Sequence, residues 1–286
     1  IKVKGKTLNK AKLKEIEIIL PSIPEQKRIV AILDQAFAEI NKARGKTEQN
    51  LKNACELFES YLQQVFSQRG EGWVEHMLGD ICTFKHGFAF KSEYFTESSD
   101  LLLLTPGNFF EEGGYRDRGE KQKYYAGPFP KEFLLKKGGL LVAMTEQAAG
   151  LLGSPALVPA DDVFLHNQRL GLVELTSDFE GGVSMDFLFH LFNTKYFRSK
   201  VQETASGVKV RHTSPKKMQS ISVWLPANLN EQEYTARKLF ELKDKSIKLE
   251  KIYKRKILQL DDLKKSILQK AFFGELTNTN NKGAAA

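Results

Sequence analysis

EQKRIVAILDQAFAEINKARGKTEQNLKNACELFESYLQQVFS, residues 25–67, is the stretch whose reading decides the fold. Its apolar or small residues Ile29, Leu33, Ala36, Ile40, Ala43, Thr47, Leu51, Ala54, Phe58, Tyr61 and Val65 recur every three or four positions, the period of one helix face. The spacing predicts a helix from Glu25 to about Ser67, and a stripe of that length needs a partner. The partner lies later in the chain. An offset of 206 residues carries Glu25 and Gln26 onto Glu231 and Gln232, Ser60 onto Ser266, Leu62 and Gln63 onto Leu268 and Gln269, and Phe66 onto Phe272. A second helix is therefore expected from Glu231 to about Phe273. The two should pack antiparallel through Ile29, Leu33, Ile40, Leu51, Phe58, Leu239, Leu249, Ile257, Leu260 and Ile267.

Upstream, with one residue of slippage, Leu13, Ile16, Ile18, Leu20 and Pro21 match Met218, Ile221, Val223, Leu225 and Pro226. Each unit thus reads as a short alternating strand, a Leu-Pro turn and a long helix. The division expected is a tail strand of a preceding domain over residues 1–20, a first long helix over 21–72, an insert over 73–224, a second long helix over 225–276 and a disordered tail over 277–286. The first residue and the Gly-Ala-Ala-Ala end suggest a trimmed or engineered chain. Pro21, Pro24, Ser22 and Glu25 all suit a helix start, whereas Gly45 is a weak point that packing must hold. The fold class is α+β, one mixed globular domain inserted between two long antiparallel coiled-coil helices.

Within the insert, Leu101–Thr105, Leu140–Thr145 and Gly171–Leu175 read as buried strands between glycine-rich turns. One helix is expected from Ser184 to Ala205, with its phenylalanines in the core. No apolar run approaches the roughly 20 residues that span a bilayer, and no signal peptide is visible, so no membrane role is expected. Cys55 and Cys82 have neither pairing logic nor metal-ligand spacing, which suits a reducing cytoplasm.

A formal charge of +8 suggests a polyanionic partner. Over residues 73–224, however, 17 Lys and Arg meet 18 Asp and Glu, so a basic face requires clustering rather than excess. Three loops show it: Lys85, His86 and Lys91; Asn108, Tyr115, Arg116, Arg118, Lys121 and Lys123; and Lys209, Arg211 and His212. Arg can fork onto guanine, Asn or Gln onto adenine, and Lys can meet phosphate, so these residues are the candidate contacts to double-stranded DNA. For any one of them a solvated loop is as good a reading; the set favours DNA. Alanine at Arg116 and Arg118, or at Lys209 and Arg211, is expected to weaken DNA binding and leave the melting curve unchanged.

The motif Leu20-Pro21-Ser22-Ile23-Pro24-Glu25-Gln26-Lys27-Arg28-Ile29-Val30, the helix ends Ser60-x-Leu62-Gln63-x-x-Phe66 and Ser266-x-Leu268-Gln269-x-x-Phe272, the entry Trp73 to Cys82, the Gly139–Met144 strand, the Asn167-Gln168 pair and the Ser206-Gly207 loop together resemble the specificity subunit of a type I restriction-modification enzyme. The resemblance implies sequence-specific DNA recognition at a bipartite target, with methyltransferase subunits docked on the helices and restriction subunits joining for cleavage. Members typically carry two target-recognition domains; this chain holds one complete domain, which implies a half-length or truncated form and a homodimer. Helices of about 43 residues would make a ruler of roughly 60 Å between half-sites.

No catalytic residue, cofactor or metal is expected. The chain has no methyltransferase Asp/Asn-Pro-Pro-aromatic motif, no glycine-rich methyl-donor or phosphate loop and no nuclease carboxylate set, and His190 and His212 have no Cys or His partner nearby. The alternatives are a coiled-coil scaffold without DNA and, less favoured, a stand-alone DNA-modifying enzyme. Salt-sensitive DNA binding separates the scaffold from the recognition subunit.

Overall fold

The computed structural model describes residues 20–146 and 150–277. In chain order its elements are α1 (Ile23–Gln68), β1 (Trp73–Met77), α2 (Leu78–Ile81), β2 (Cys82–His86), β3 (Phe95–Thr96), β4 (Leu102–Leu104), β5 (Tyr124–Tyr125), β6 (Leu140–Ala143), β7 (Thr145–Glu146), β8 (Pro155–Leu157), β9 (Phe164–His166), β10 (Leu170–Leu175), α3 (Met185–Phe192), α4 (Lys195–Glu203), β11 (Arg211–His212), α5 (Pro215–Gln219), β12 (Ser222–Pro226) and α6 (Leu229–Phe272). They group into two compact units, one of Leu57–Lys245 and one of the chain on either side of it. The expected strand before Pro21 and nearly all of the expected disordered tail lie outside the described residues.

In the helical unit α1 and α6 run antiparallel. The Arg44 guanidinium meets the Asp261 carboxylate, and one turn back along α1 the Lys264 ammonium reaches the Asn41 amide oxygen at 3.4 Å and lies 5.0 Å over the Phe37 ring. Moving toward the start of α1 therefore moves toward the end of α6, as the repeat requires. Ile40, Thr47, Ala54 and Ser246 are buried along the seam, while Ile29, Leu33, Leu51, Leu249, Ile257, Leu260 and Ile267 are half-buried. Two helices cover only part of each other, so Ile252, Leu258, Leu263 and Leu268 stay exposed. Gly45 sits in mid-helix facing solvent, with no atom within 4 Å of where a Cβ would stand.

The Leu57–Lys245 unit closes on itself where it begins and ends, because β1 pairs antiparallel with β12 from Trp73↔Pro226 to Met77↔Ser222. Beside that pair lie two four-stranded sheets, ordered β2-β10-β6-β8 and β3-β5-β4-β9, and the short pair β11-β7. All pairings are antiparallel except β4 with β9. The largest core joins the first sheet to α3 and α4 through Phe187, Phe189, Phe192 and Phe197, with Leu140, Val142 and Leu152. Phe58 of α1 belongs here too, half-buried and 5.7 Å from the Lys243 ammonium of α6, so the antiparallel order continues in this unit. Leu239 is fully buried.

Two expectations are corrected. The helix read over Ser184–Ala205 is two helices. Thr194 caps the second, its hydroxyl donating to the Leu191 carbonyl at 2.7 Å and accepting the Phe197 amide at 3.2 Å, so the chain turns between Phe192 and Lys195 and both segments bury their rings. Tyr61, assigned to the α1 stripe, is 39% exposed, whereas Leu62 beside it is 1% exposed. A helix of 3.6 residues per turn drifts off a 3.5-residue seam, and near its end α1 packs on the insert through Phe66.

Candidate nucleic-acid interface

The strand registers bring the chain's loops to one end of the Leu57–Lys245 unit. β2 ends and β10 begins together, with Gly171 opposite His86; β6 ends there as well, with Ala143 opposite Leu170. β9 ends three residues before β10 begins, and because β4 runs parallel to β9, with Leu104 opposite His166, β4 ends at the same level. β5 is antiparallel to β4, so its start, just after Lys123, comes back to this end. Parallel and antiparallel directions thus leave the segments after β2, β4, β6 and β9 and before β5 and β10 side by side.

Backbone hydrogen bonds tie these segments into a continuous edge. The Phe88 amide donates to the His166 carbonyl at 2.9 Å, the Gln168 amide to Phe88 at 3.1 Å, the Met144 amide to Arg169 at 3.0 Å and the Thr213 amide to Met144 at 3.0 Å. A Cβ on Gly87 would stand 2.3 Å from the Asn167 carbonyl oxygen, so only glycine lets the end of β2 lie this close. Gly207, with φ near +99° and its Cβ position 2.1 Å from the Val210 carbonyl oxygen, is required in the same way in the turn that carries Lys209.

The candidate residues differ in what they can still do. Lys85, His86, Arg116, Arg118, Lys121, Lys123, Lys209, Arg211 and His212 come to this edge, joined by Arg169, against Glu111, Glu112, Asp117 and Glu120 of the loop after β4 and the buried Glu146. Several cations are carried on rings: Lys85 Nζ is 5.4 Å over Phe133, Lys123 Nζ 5.3 Å over Phe95 and Arg116 6.0 Å over Phe110. Lys209 is exposed beside Val208, which at 97% is the most exposed large apolar residue among those described. Lys91 does not join them. It precedes the turn into β3, at the opposite end of that strand pair, and lies 3.7 Å from Glu93.

Asn108 is turned inward, 1% exposed. Its amide oxygen accepts the Thr105 amide at 3.1 Å and its nitrogen donates to Gln122 at 2.6 Å, so it builds the loop that holds Arg116 and Arg118 instead of facing a partner. Tyr115 is half-buried, its hydroxyl accepting from Gln122 at 2.9 Å; burial, with Asp117 adding to it, raises its pKa. Arg211 is a brace. Its guanidinium donates to the Gln202 carbonyl at 2.7 Å and to the Gln202 side chain, 3.5 Å from a Glu146 carboxylate that also accepts the Leu151 and Leu152 amides at 3.0 and 2.8 Å. Arg211→Ala would uncover a buried carboxylate, so the structure replaces the expectation of an unchanged melting curve for that residue with one of destabilisation.

Behind the edge, His166 is buried and burial lowers its pKa to about 4, with Lys85 and His86 acting in the same direction. Its Nε2 lies 2.9 Å from the Leu170 carbonyl, which can only accept, so the neutral ring carries its proton there and bridges the turn from β9 to β10. Arg198 is half-buried. It donates to the carbonyls of Glu111 at 3.1 Å and of Gly150, and burial lowers its pKa to about 10. No group of His, Cys, Asp and Glu among the described residues could hold a metal ion, and no helix among them is long and apolar enough to cross a membrane.

With this geometry in view, the family profile described as the type I restriction modification DNA specificity domain matches residues 2–51 and 70–259. The chain belongs to that family. Over 188 residues it is 26% identical to the type I restriction enzyme EcoBI specificity subunit of Escherichia coli, covering 64% of this chain and 35% of that one. A solved chain from work titled "Structural basis underlying complex assembly and conformational transition of the type I R-M system" superposes with a TM-score of 0.70 at 19% identity, over 91% of this chain and 62% of that one. The HsdS subunit of Thermoanaerobacter tengcongensis superposes with a TM-score of 0.60 at 20% identity, over 91% and 61%. At those identities the likeness is one of fold. The chain spans about a third of the curated relative and three fifths of these solved chains.

Sequence reading missed Gln168 and Arg169 as candidate contacts, although it noted Asn167-Gln168 as a family mark. The available signal was Asn-Gln-Arg directly after a buried apolar strand, a turn with two long polar side chains. Glu146 was missed because nothing in Thr-Glu-Gln shows that the carboxylate will be enclosed.

Proposed function

We propose that this chain recognises DNA sequence for a type I restriction-modification complex and directs methyltransferase and restriction subunits to a bipartite target. The observation that carries the proposal is the edge onto which the strand registers bring Lys85, Arg116, Arg118, Lys121, Lys123, Arg169 and Lys209, with Glu111, Glu112, Asp117 and Glu120 confined to the one loop after β4. A duplex matches such an edge: cations neutralise phosphates and release counterions, while Arg and Gln side chains can fork onto base edges. A scaffold without DNA would have no use for it. The chain supplies recognition, and base flipping and chemistry belong to the other subunits. The exposed apolar residues Ile252, Leu258, Leu263 and Leu268 support α6 as the place where those subunits dock.

Selection from random duplexes by the full chain, with and without methyltransferase subunits and at two salt concentrations, tests this. The expected result is a preferred sequence and an affinity whose logarithm falls linearly with that of salt, by about 0.9 per phosphate contacted. Failure to enrich any sequence under either condition overturns it.

The finer proposal is a homodimer, and the internal repeat supports it. Gln232 Nε2 donates to the Pro226 carbonyl at 2.8 Å, and its repeat equivalent Gln26 Nε2 donates to Pro21 at the same distance. Gln232 also donates to Gly182 at 3.2 Å and accepts the Ser184 amide at 3.0 Å, while Phe66 packs on Trp73 and Phe187. Around Gln26, by contrast, a groove of about 560 Å³ lies between Ile29, Leu33, Ala271 and Phe272, and Phe272, the equivalent of Phe66, is 74% exposed. That groove repeats the surface on which a recognition domain sits, and a second copy of the chain would fill it. Light scattering at micromolar concentration should give twice the chain mass, and Phe272→Asp should halve it. A strict monomer before any substitution counts against the dimer.

A further inference from the structure

The turn between β9 and β10 stands in the middle of the edge, with the end of β2 on one side and the β7–β11 pair on the other. Its backbone is held throughout. Asn167 accepts the Leu170 amide on its carbonyl at 3.0 Å and the Arg169 amide on its side chain at 3.0 Å. The Gln168 amide is taken by Phe88 and the Arg169 carbonyl by Met144, and His166 crosses the base of the turn to Leu170. Yet the Gln168 and Arg169 side chains are exposed and form no hydrogen bond or ion pair with the described residues. A rigid turn that presents two unengaged long polar side chains has little loop entropy to lose on binding.

Their chemistry is particular. Arg is the side chain that forks onto the guanine O6 and N7 acceptors, and Gln the one that pairs with the adenine N6 and N7 groups. The cations that flank them are suited to a different task, since Lys85 and Lys123 are ammonium groups carried over rings and meet phosphate as point charges. Arg211 is already engaged by Gln202 and Glu146 and cannot turn outward without uncovering a buried carboxylate.

Resting on the DNA-recognition reading above, we infer that Gln168 and Arg169 are specificity-determining residues that read adjacent base pairs from the turn, one by a guanine fork and the other by an adenine pair. The residues around them position the duplex.

The test is the random-duplex selection repeated on the full chain with Gln168→Ala, Arg169→Ala, Arg169→Lys and Asn167→Ala. Each of the first two should lose preference at one base pair by roughly 5- to 150-fold and keep the rest of the motif. Arg169→Lys keeps the charge and loses the planar fork, so it should also lose the preference while its salt dependence matches that of the unsubstituted chain. Asn167→Ala leaves both readers present but frees the Arg169 amide, and should blunt preference at the same positions. Because both reading side chains are exposed, their substitution should leave the melting curve in place. If the unsubstituted chain selects a motif and the Arg169 and Gln168 variants select the same one, the inference is wrong. An Arg169→Ala that weakens binding equally at every sequence, with a salt slope smaller by about one, makes Arg169 a phosphate contact and also overturns it. If the unsubstituted chain selects nothing, it is the DNA-recognition reading itself that fails.

Discussion

The Arg211 guanidinium lies 3.5 Å from the carboxylate of Glu146, which is 2% exposed, and it is the only cation paired with that carboxylate among the described residues. Removing it leaves two backbone amides, the long contacts of Gln202 and the field of Arg198 to hold an enclosed charge. The Arg211 side chain keeps about a third of its own exposure, so solvent screens the pair and the penalty for a fully buried bridge must be discounted. Arg211→Ala should therefore destabilise by about 1–2 kcal/mol in urea melts, and Lys209→Ala by less than about 0.5 kcal/mol. Equal, negligible losses for the two would mean that Arg211 is no brace.

Gly45 and Ile40 lie five residues apart on α1 and should respond in opposite senses. Nothing stands within 4 Å of a Cβ on Gly45, and the residue is exposed in mid-helix, so Gly45→Ala should stabilise by about 1 kcal/mol through propensity and unfolded-state entropy. Ile40 is 7% exposed in the seam, so Ile40→Asp should cost several kcal/mol by burying an unpaired carboxylate. A loss below about 1 kcal/mol for Ile40→Asp would remove the case for that seam.

The two thiols should be told apart by a labelling reagent. Cys55 is exposed, with its pKa raised by desolvation and by Glu250; Cys82 is fully buried and burial pushes its thiol to about 12. One thiol should label in the native protein, faster as pH rises because the thiolate is the nucleophile, and the second only on unfolding. Mass spectrometry of the labelled peptides assigns them. Native labelling at Cys82 would contradict its burial in the core.

His190 sits among Phe58, Phe189 and Phe240, 4.3–6.3 Å away by ring centroids, and burial lowers its pKa to about 3, with Lys243 acting in the same direction. The unfolded chain binds a proton near pH 6.5 that the folded chain refuses. The unfolded state therefore holds more protons between these values, and stability must rise with pH across them and be lost as pH falls from about 6.5. Between pH 7 and pH 5 this one group should remove about 2 kcal/mol, on top of what His166 and the carboxylates do. His190→Phe should flatten the pH profile of urea stability by that amount. An unchanged slope would place the ring's proton equilibrium near its ordinary value.

How much of this was legible follows from how far apart the deciding residues are. The long helices could be read because a 3.6-residue stripe is local and the repeat prints it twice; their observed limits, Ile23–Gln68 and Leu229–Phe272, lie within two residues of the expected ones. Tyr61 was misassigned and the Ser184–Ala205 helix joined in error for one reason. Periodicity records that a residue is apolar, whereas the surface it meets is supplied by the far side of the fold.

The same limit governs the edge. That Lys, Arg, Asn and Gln cluster in three loops is visible in the chain, and so is the family to which the motifs point. The individual duties of these residues are invisible there: Asn108 and Arg211, like Arg169, are side-chain types able to recognise a base, and only the strand registers, that of β7 with β11 included, turn the first two inward and leave the third in solvent. The sequence by itself determined the helices, their antiparallel pairing and the presence of an inserted α+β domain, because those depend on short-range periodicity and on a repeat. Only the tertiary structure decided which polar side chains are still free to bind. A hydrogen-bonding group becomes a brace or a reader according to the partners brought within about 3 Å of it, and those partners come from strands distant in the chain.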